Sequence, residues 1–207
     1  VKTAVLAQRL APALPLMRCP LCGEGFSADD ASLRCRRGHC FDLSSKGYVN
    51  LAPAHDQRAG QYHTALFDSR NRIFQAGLYR PVLDTAAAML ERRFGNSAFS
   101  LADIGCGEGY YARALRERFA RATCFGLDLS RDGIARAARG ENAVHWLVAD
   151  LKRLPFANAA LDALLDVLTP ADYDEFARVL QPDGELIKAV PGERYLCEAL
   201  DALGAHL

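Results

Sequence analysis

The sequence predicts an α/β protein in two parts, a small N-terminal metal-binding module followed by a larger domain built on a parallel sheet. Three observations predict it. Two closely spaced pairs of metal-ligand residues lie between Cys19 and Cys40. Beyond residue 98, short apolar runs alternate with helical stretches, as in sheets covered by helices on both faces. Residues 1–80 carry 11 Lys and Arg against 6 Asp and Glu, whereas residues 81–207 carry 14 against 19, so the first part suits a polyanion.

Composition excludes several classes of protein. Of the 207 residues, 50% are hydrophobic and 24% are charged, which argues against disorder. No apolar run approaches the roughly 20 residues that cross a bilayer, so we expect no membrane partner. The seven cysteines are an odd and unevenly spaced set, which favours a reducing, cytoplasmic location over a secreted disulfide framework.

The first 18 residues form a mildly apolar leader. Gln8, Arg9 and two prolines interrupt it, which makes it a poor signal peptide. An alternative is that Met17 is the native start.

The densest motif is Cys19-Pro-Leu-Cys22 followed by Cys35-Arg-Arg-Gly-His39-Cys40. Two thiolates two residues apart fit a tight turn, and a hairpin can return a second pair to complete the tetrahedron that Zn²⁺ prefers. Four protein ligands leave no open position, so we expect one structural zinc ion. His39 is the favoured fourth ligand, although the adjacent Cys40 could also reach. The alternative is a set of free thiols packed without a metal.

The segment after the knuckle connects the two parts. Alternating apolar and polar residues around 41–51 indicate a short strand, 56–61 is polar, and 64–76 has a helical pattern with Leu66, Ile73 and Phe74 as a buried stripe. Several arginines could form a phosphate-facing surface, unless they are a solvated helix face or the helix folds over a ligand. They are Arg34, Arg36, Arg37, Arg58, Arg70, Arg72 and Arg80.

The second part reads as alternating helices and strands. The predicted helices cover 81–94, 109–119, 131–139, 171–180 and 193–205, and the predicted strands cover 99–104, 123–128, 143–149, 161–168 and 184–190.

Acidic residues and a glycine-rich turn follow these strands. Asp103 precedes the turn Gly105-Cys-Gly107-Glu-Gly109, Asp128 ends the second strand, and Asp150 ends the third. Glycines at a strand–helix junction let a cofactor approach the backbone, and a carboxylate can accept hydrogen bonds from both hydroxyls of a ribose. A plain tight turn is one alternative. A dinucleotide site is a weaker one, because the spacing is Gly-x-Gly-x-Gly.

From Leu101 to Pro191 this combination resembles class I S-adenosylmethionine methyltransferases, which have a Rossmann-like fold. The longer succession of motifs is similar to one family, the bacterial large-subunit rRNA guanine-N1 methyltransferases, which include macrolide-resistance enzymes. The motifs are Cys-Pro-Leu-Cys, Cys-x3-His, Phe-Asp, Lys-Gly-Tyr-Val-Asn-Leu, Ala-Gly-x-Tyr-x-Pro and Asp-Ile-Gly-Cys-Gly-Glu-Gly-Tyr-Tyr, between Cys19 and Tyr195.

The resemblance implies roles for individual residues. It makes Cys19, Cys22, Cys35 and His39 the zinc ligands. The implied cofactor contacts are Asp103 with Gly105, Gly107 and Gly109 for the methionine end of S-adenosylmethionine, Asp128 for the ribose, Asp150 and Leu151 for the adenine, and further contacts at Tyr79, Tyr111, Ala112 and Tyr195. The family has His where this chain has Tyr195, and an aromatic-small-Pro motif where it has Leu168-Thr169-Pro170.

The resemblance also implies an activity and a division of the chain. We expect methyl transfer to N1 of a guanine in a 23S rRNA hairpin loop, with Asp166 as the carboxylate that could accept the N1 proton. The expected divisions are a leader at 1–18, a zinc-binding module at 19–55 that recognises RNA, a linker with a helix at 56–80 and a methyltransferase domain at 81–207. Two C-terminal strands, about sixty residues by normal domain length, are expected beyond Leu207. We expect no DNA partner and leave a homodimer open. The rival functions are a small-molecule methyltransferase and a non-catalytic RNA-binding zinc protein.

Overall fold

A computed structural model of the chain describes residues 2–52, 64–140, 143–193, 195 and 197. Within those ranges, no helix combines the length and the apolar composition that a membrane span needs. The chain runs through α1 (Thr3–Leu10), a 3₁₀ helix (Ala11–Leu16), β1 (Phe26–Ala28), β2 (Ser32–Cys35), β3 (Cys40–Asp42), β4 (Tyr48–Asn50), α2 (Thr64–Gln75), α3 (Arg80–Phe94), β5 (Ser100–Ile104), α4 (Tyr110–Arg118), β6 (Thr123–Asp128), α5 (Arg131–Ala137), β7 (Val144–Val148), β8 (Leu161–Val167), α6 (Tyr173–Val179) and β9 (Leu180–Ala189).

The larger sheet has six strands in the order β4-β7-β6-β5-β8-β9, and every neighbouring pair is parallel. Parallel sheets are covered on both faces, and all five residues of β5 are accordingly buried. The strand order reverses at β5, since β6 and β7 extend the sheet on one side and β8 and β9 on the other. In such sheets a ligand binds at the carboxyl ends of the strands, beside this reversal.

Side chains alternate along the strands and divide the core between the two faces. Leu101 and Trp146 face a cluster built with α3, α4 and α5. On the other face, Ala102 and Phe125 share a cluster with α1, the zinc-binding module and α6. The predicted α/β fold with helices on both faces is therefore confirmed.

The leader is part of this second face. Leu6, Leu10 and Ala13 are buried there, and Met17 forms a bridge with Phe156. The two prolines that break the α-helical pattern lie in the 3₁₀ helix. A chain that started at Met17 would therefore leave apolar surface of the sheet uncovered.

The zinc-binding module is a three-stranded antiparallel sheet, β1-β2-β3. Asp29 holds its first turn, because one carboxylate oxygen accepts hydrogen bonds from the backbone N–H groups of Ala31 (2.9 Å) and Ser32 (2.6 Å). These hydrogen bonds lower the pKa of Asp29 to about 2. Phe26 and Phe41 pack edge to face at 5.8 Å, and Leu33 and Phe41 continue into the core of the larger sheet.

β4 lies within the predicted module 19–55, yet it belongs to the larger sheet. Tyr48 and Val49 are buried, and β4 pairs in parallel with β7. The pairing gives the unsatisfied edge of β7 a partner. The zinc-binding module is thus joined to the larger domain by packing and also by a shared sheet.

The single short strand predicted around 41–51 is wrong, because this stretch forms two strands, β3 and β4, in different sheets. The other predicted elements agree closely with the structure, apart from their ends. Helix α6 ends at Val179, and β9 begins at Leu180, earlier than the predicted start at 184. The extra residues of β9 include a register break in its pairing with β8. The predicted helix at 193–205 and the polar stretch at 56–61 lie outside the described residues.

Candidate active site and metal centre

The candidate active site lies at the carboxyl edge of the sheet, around the loop between β5 and α4. Gly105, Gly107 and Gly109 all have positive φ angles, of 71°, 55° and 80°. A side chain at Gly105 would collide with Thr169, and one at Gly109 would collide with Trp146. At Gly107 the nearest atoms to an added Cβ, those of the Arg70 guanidinium, are 3.9 Å away. Two of these glycines are therefore required by packing, whereas Gly107 opens onto a cleft.

Asp103 anchors the start of α4 from the end of β5. It is 2% exposed, and one carboxylate oxygen accepts a hydrogen bond from the backbone N–H of Ala112 at 3.1 Å. Burial raises the pKa of Asp103 to about 7. Two clefts open at this edge of the sheet: Asp103 lines the first, and Asp128 lines the second. A cationic group bound in the first cleft would stabilise the charged form of Asp103.

Asp128 sits at the end of β6 and holds the glycine loop. Its two carboxylate oxygens accept hydrogen bonds from the backbone N–H groups of Gly107 (2.8 Å) and Ser130 (2.7 Å). Burial raises the pKa of Asp128, while these bonds act in the opposite direction. Asp128 and Leu151 line the second cleft. Asp150 does not line either cleft and accepts a hydrogen bond from the Lys152 backbone at 3.0 Å.

Helix α2 and the residues after it cover the first cleft with aromatic side chains. The ring of Phe74 stacks on Tyr110 at 4.4 Å and meets Tyr111 edge to face at 6.2 Å. Tyr79 lines the same cleft, and its hydroxyl lies 2.9 Å from that of Tyr195. This hydrogen bond raises the pKa of Tyr79 to about 12. The structure thus brings the predicted contacts at 79, 111 and 195 to one place.

Helix α2 differs in part from its prediction: Phe74 packs against the core as expected, but Arg70 and Ile73 line the clefts. The side chain of Leu66 lies outside the described residues. Arg70 was grouped with a phosphate-facing surface, but it lines both clefts. The predicted buried stripe is wrong at Ile73, which is 41% exposed and lines the first cleft, and Phe74 lines it as well. The signal was present in their spacing, since positions i, i+3 and i+4 share one helix face, but that spacing does not say what the face covers.

Asp166, the predicted proton acceptor, is not among the described residues that line either cleft. It is fully buried, forms an ion pair with Lys188 and accepts a hydrogen bond from the Thr169 backbone at 3.3 Å. Lys188 also donates to the Thr169 carbonyl at 3.0 Å. The pair holds the turn in which Leu168 has a positive φ of 56°, and Leu168 lines both clefts. This geometry favours a positioning role for Asp166.

The clefts suit S-adenosylmethionine as a ligand. The hydroxyl of Tyr111 is buried beside the first cleft without a hydrogen-bond partner among the described residues. This burial raises the pKa of Tyr111 above the ordinary value of a tyrosine. An unpaired buried hydroxyl is costly, and a polar group of a bound ligand would satisfy it. Gly107 leaves room for that ligand, and Asp128 offers the carboxylate that a ribose requires.

The metal centre brings together the four predicted ligands. The ligand atoms of Cys19, Cys22, Cys35 and His39 all lie within 4.8 Å of one another. The Nδ1 atom of His39 is 3.6 Å from the Cys19 sulfur and 3.3 Å from the Cys35 sulfur, and the Cys22 and Cys35 sulfurs are 3.6 Å apart. Tetrahedral zinc with its usual bond lengths separates its ligands by about 3.5–3.8 Å, so the donor set fits Zn²⁺. Cys40 is exposed and lies outside the cluster.

Comparisons with known proteins agree with both halves of this description. Residues 17–59 match the zinc-ribbon family model described as RlmA, N-terminal, and residues 101–184 match the model described as a methyltransferase domain. A solved structure from Methanococcus maripaludis, provisionally titled an S-adenosyl-L-methionine-dependent methyltransferase, has the same fold. It has a TM-score of 0.53 and 20% identity, covering 67% of this chain and 69% of its own. The chain therefore combines a zinc ribbon with a methyltransferase domain of this fold.

Sequence relatives define the family more narrowly. YxjB of Bacillus subtilis, whose provisional name is 23S rRNA (guanine-N(1)-)-methyltransferase, is 39% identical over 88% of this chain and 67% of its own length. The 23S rRNA (guanine(748)-N(1))-methyltransferase of Streptomyces fradiae is 34% identical over 91% of this chain and 68% of its own length. The chain belongs to the family of the 23S rRNA (guanine-N1)-methyltransferases.

Proposed function

We propose that this chain transfers the methyl group of S-adenosylmethionine to N1 of a guanine in a hairpin loop of 23S rRNA. One observation carries the proposal: relatives that match both the zinc ribbon and the methyltransferase domain bear names for this reaction. A small-molecule methyltransferase has no evident use for a basic zinc ribbon, and a non-catalytic RNA-binding protein would not need an intact cofactor cleft. Both alternatives are less favoured.

The donor lies across the two clefts in this proposal. Asp128 binds the ribose hydroxyls, Leu151 with the nearby Asp150 contacts the adenine, and Asp103 with the glycine loop holds the methionine end. Tyr79, Tyr111, Ala112 and Tyr195 complete the enclosure. Support comes from the lining of the clefts and from the short Tyr79–Tyr195 contact beside them.

The reaction is a nucleophilic displacement, and S-adenosylmethionine supplies a methyl group that is already activated as a sulfonium. The N1–C bond forms as the S–C bond breaks, S-adenosylhomocysteine leaves, and the proton of N1 is given up to water. The task of this chain is therefore mainly to position the guanine in line with that methyl group and to exclude water. Guanine N1 is occupied in a base pair, so the base must be unpaired or flipped out, at a cost of a few kcal/mol in a duplex. An unpaired hairpin loop reduces that cost. The aromatic cover made by Phe74, Tyr79 and Tyr110 limits access of water to the first cleft.

The decisive experiment is to incubate the protein with unmodified 23S rRNA and labelled S-adenosylmethionine, and then to map the methyl group. A methyl group on N1 blocks Watson–Crick pairing, so reverse transcription should stop next to one guanine, and mass spectrometry should identify N1-methylguanine there. Methylation at another atom, or label found only in small molecules, would contradict the proposal. Expression in a macrolide-sensitive host would then test whether the modification confers resistance.

The divisions of the chain, the absence of DNA and membrane partners and the cytoplasmic location stay predictions, and whether the chain forms a homodimer stays open.

RNA recognition by the zinc ribbon is also a prediction. Arg36 and Arg37 are exposed at the tip between β2 and β3. The one ion pair of Arg37 among the described residues is a long contact of 4.0 Å with Glu24. Arg34 is instead held by Asp29 at 3.1 Å. The ribbon also packs on the sheet, so it braces the fold whether or not it contacts RNA.

Replacing Arg36 and Arg37 together with alanine should weaken binding of a target hairpin and reduce its salt dependence. If each arginine neutralises one phosphate, the slope of log affinity against log salt should become shallower by roughly 1.4–1.8. Fluorescence anisotropy over a salt series measures both quantities. Alanine at Arg92 and Arg121, two exposed arginines of the methyltransferase domain, is the matched control. An unchanged slope in the Arg36/Arg37 variant would leave the ribbon as a brace alone.

The Asp166→Asn substitution separates a positioning role from proton transfer. Breaking a buried ion pair should lower the free energy of unfolding by roughly 3 kcal/mol. This is the low end of the usual range, because the Lys188 side chain is 18% exposed and water can reach its charge. Adding Lys188→Met removes the ammonium group that Asp166→Asn leaves unpaired. The melting temperature of the double variant should therefore return most of the way to that of the wild type. We expect this double variant to methylate rRNA with the pH profile of the wild type. A stable double variant that still binds S-adenosylmethionine and rRNA with wild-type affinity, but methylates only at raised pH or not at all, would make Asp166 the proton acceptor after all.

A further inference from the structure

Arg70 occupies a position in the cleft that the proposed contacts leave unexplained. It is placed by α2 over the carboxyl edge of the sheet and lines both clefts. Among the described residues that line these clefts, it is the only basic one. Both terminal nitrogens of its guanidinium lie 3.9 Å from where a Cβ on Gly107 would be, so the charge sits beside the open part of the glycine loop.

The guanidinium of Arg70 differs from those of the arginines near it. Within the described part of the chain it makes no hydrogen bond or ion pair, in contrast to its neighbours on and beside the same helix. Arg72 donates to Ser69 at 3.1 Å, and Arg80 pairs with Asp84 at 3.1 Å. Burial raises the pKa of Asp128 and of Tyr111, and Arg70 lies close enough to both for its charge to oppose that effect. Its charge is directed at the cleft and has no partner there.

The chemistry of the donor indicates what that partner is. S-adenosylmethionine carries one anion, its α-carboxylate, and two cations, the ammonium and the sulfonium. Asp103 and Asp128 can serve the cations and the ribose hydroxyls, but two carboxylates would repel a third. A guanidinium binds a carboxylate through two parallel N–H···O bonds, which gives both energy and orientation.

We propose that Arg70 binds the α-carboxylate of S-adenosylmethionine and thereby connects helix α2 to the occupied cleft. The inference rests on the placement of the donor given under Proposed function. It also gives α2 a second purpose. Because Ile73 and Phe74 lie one turn further along the same face and line the first cleft, a donor held by Arg70 would fix this aromatic cover over the methionine end.

The test compares two ligands, of which only one has the amino-acid end that carries the carboxylate. S-adenosylhomocysteine contains the amino-acid end, whereas 5′-methylthioadenosine lacks it and keeps the adenosine. Calorimetry on the full chain should show that Arg70→Gln weakens S-adenosylhomocysteine by about ten- to hundredfold, the usual effect of losing a charge-assisted contact. The affinity for 5′-methylthioadenosine should change less than about twofold, well below 1 kcal/mol. Arg70→Lys should fall between wild type and Arg70→Gln, because it keeps the charge but loses the paired geometry.

Two control variants make the result specific. Arg72→Gln changes an exposed arginine on the same helix and should leave both affinities unaltered. Asp128→Ala should weaken both ligands, because both contain the ribose. If Asp128→Ala alters neither affinity, the donor placement under Proposed function fails, independently of what Arg70 does.

Two outcomes would overturn the assignment of Arg70. The first is an equal loss for both ligands in Arg70→Gln, which would show a general effect on the cleft. The second is unchanged affinity for S-adenosylhomocysteine together with weaker binding of an rRNA hairpin, which would make Arg70 a phosphate contact. Melting temperatures of all variants, measured without ligand, exclude a loss of folding as the cause.

Discussion

Replacing Cys35 with serine is expected to remove the zinc ion and to lower the melting temperature of the whole protein. A structural zinc site contributes on the order of 10 kcal/mol to the folding of an isolated ribbon, comparable to the total stability of a domain. Here the ribbon is not isolated, since Leu33, Phe41 and Cys35 share a buried cluster with Phe125 of the central sheet. Loss of the metal should therefore destabilise the sheet as well, and metal analysis combined with thermal unfolding measures both effects.

Cys40→Ser is the matched control for Cys35→Ser. Cys40 is exposed and outside the ligand cluster, so this variant should keep one equivalent of zinc and the wild-type melting temperature. His39→Ala should lose metal, because its Nδ1 atom lies within 3.6 Å of two of the sulfurs. The opposite pattern, with zinc lost from Cys40→Ser and kept in His39→Ala, would make Cys40 the fourth ligand. A full equivalent of zinc in Cys35→Ser would exclude this centre.

The sequence predicted the elements that depend on local pattern. The ligand spacing in the ribbon reflects a turn of four residues and a hairpin, both of which are short-range features. The strands β5 to β8 are buried on both faces, so their apolar runs are conspicuous. The path of β4 could not be predicted, because three residues carry little periodicity and its partner, β7, lies about a hundred residues later. The buried leader was missed for the same reason, since only tertiary packing makes Leu6 and Leu10 core residues.

The residues of the candidate site also include some that the sequence pattern could predict and some that depend on tertiary packing. Asp103, Asp128 and the glycine loop could be placed because strand ends in a parallel sheet converge on one edge. Arg70 and Ile73 could not, because a helix pattern shows which side chains share a face but not what the face covers. For Asp166 the proposed role as proton acceptor stays a prediction, but its ion-pair partner could not be predicted from the sequence. Its position at the end of β8 suggested catalysis, but Lys188 on β9, its register partner, takes up the carboxylate.

Gly107 offers the most direct test of where the cofactor lies. Its φ of 55° is unfavourable for a branched residue, so Gly107→Val costs roughly 1–3 kcal/mol of stability in any event. Gly140 provides a control for this strain, because it has a φ of 80° and no atom of the described residues lies within 4 Å of an added Cβ. Gly140 is not among the described residues that line either cleft. Gly140→Val should thus reproduce the strain of Gly107→Val without its effect on the cleft.

We expect Gly107→Val to abolish detectable binding of S-adenosylmethionine, a loss of at least about a hundredfold, or roughly 2.7 kcal/mol. The nearest protein atoms are 3.9 Å from the added Cβ, so the protein can accommodate the valine, and the new methyl groups occupy the space beside Asp128 and Arg70 that the ligand needs. Gly107→Ala, which adds only the Cβ, should lose less. Calorimetry on the folded variants, with Gly140→Val at wild-type affinity, measures the effect. If Gly107→Val bound S-adenosylmethionine as well as Gly140→Val does, the donor would not pass over the glycine loop, and the cleft would have to serve another ligand.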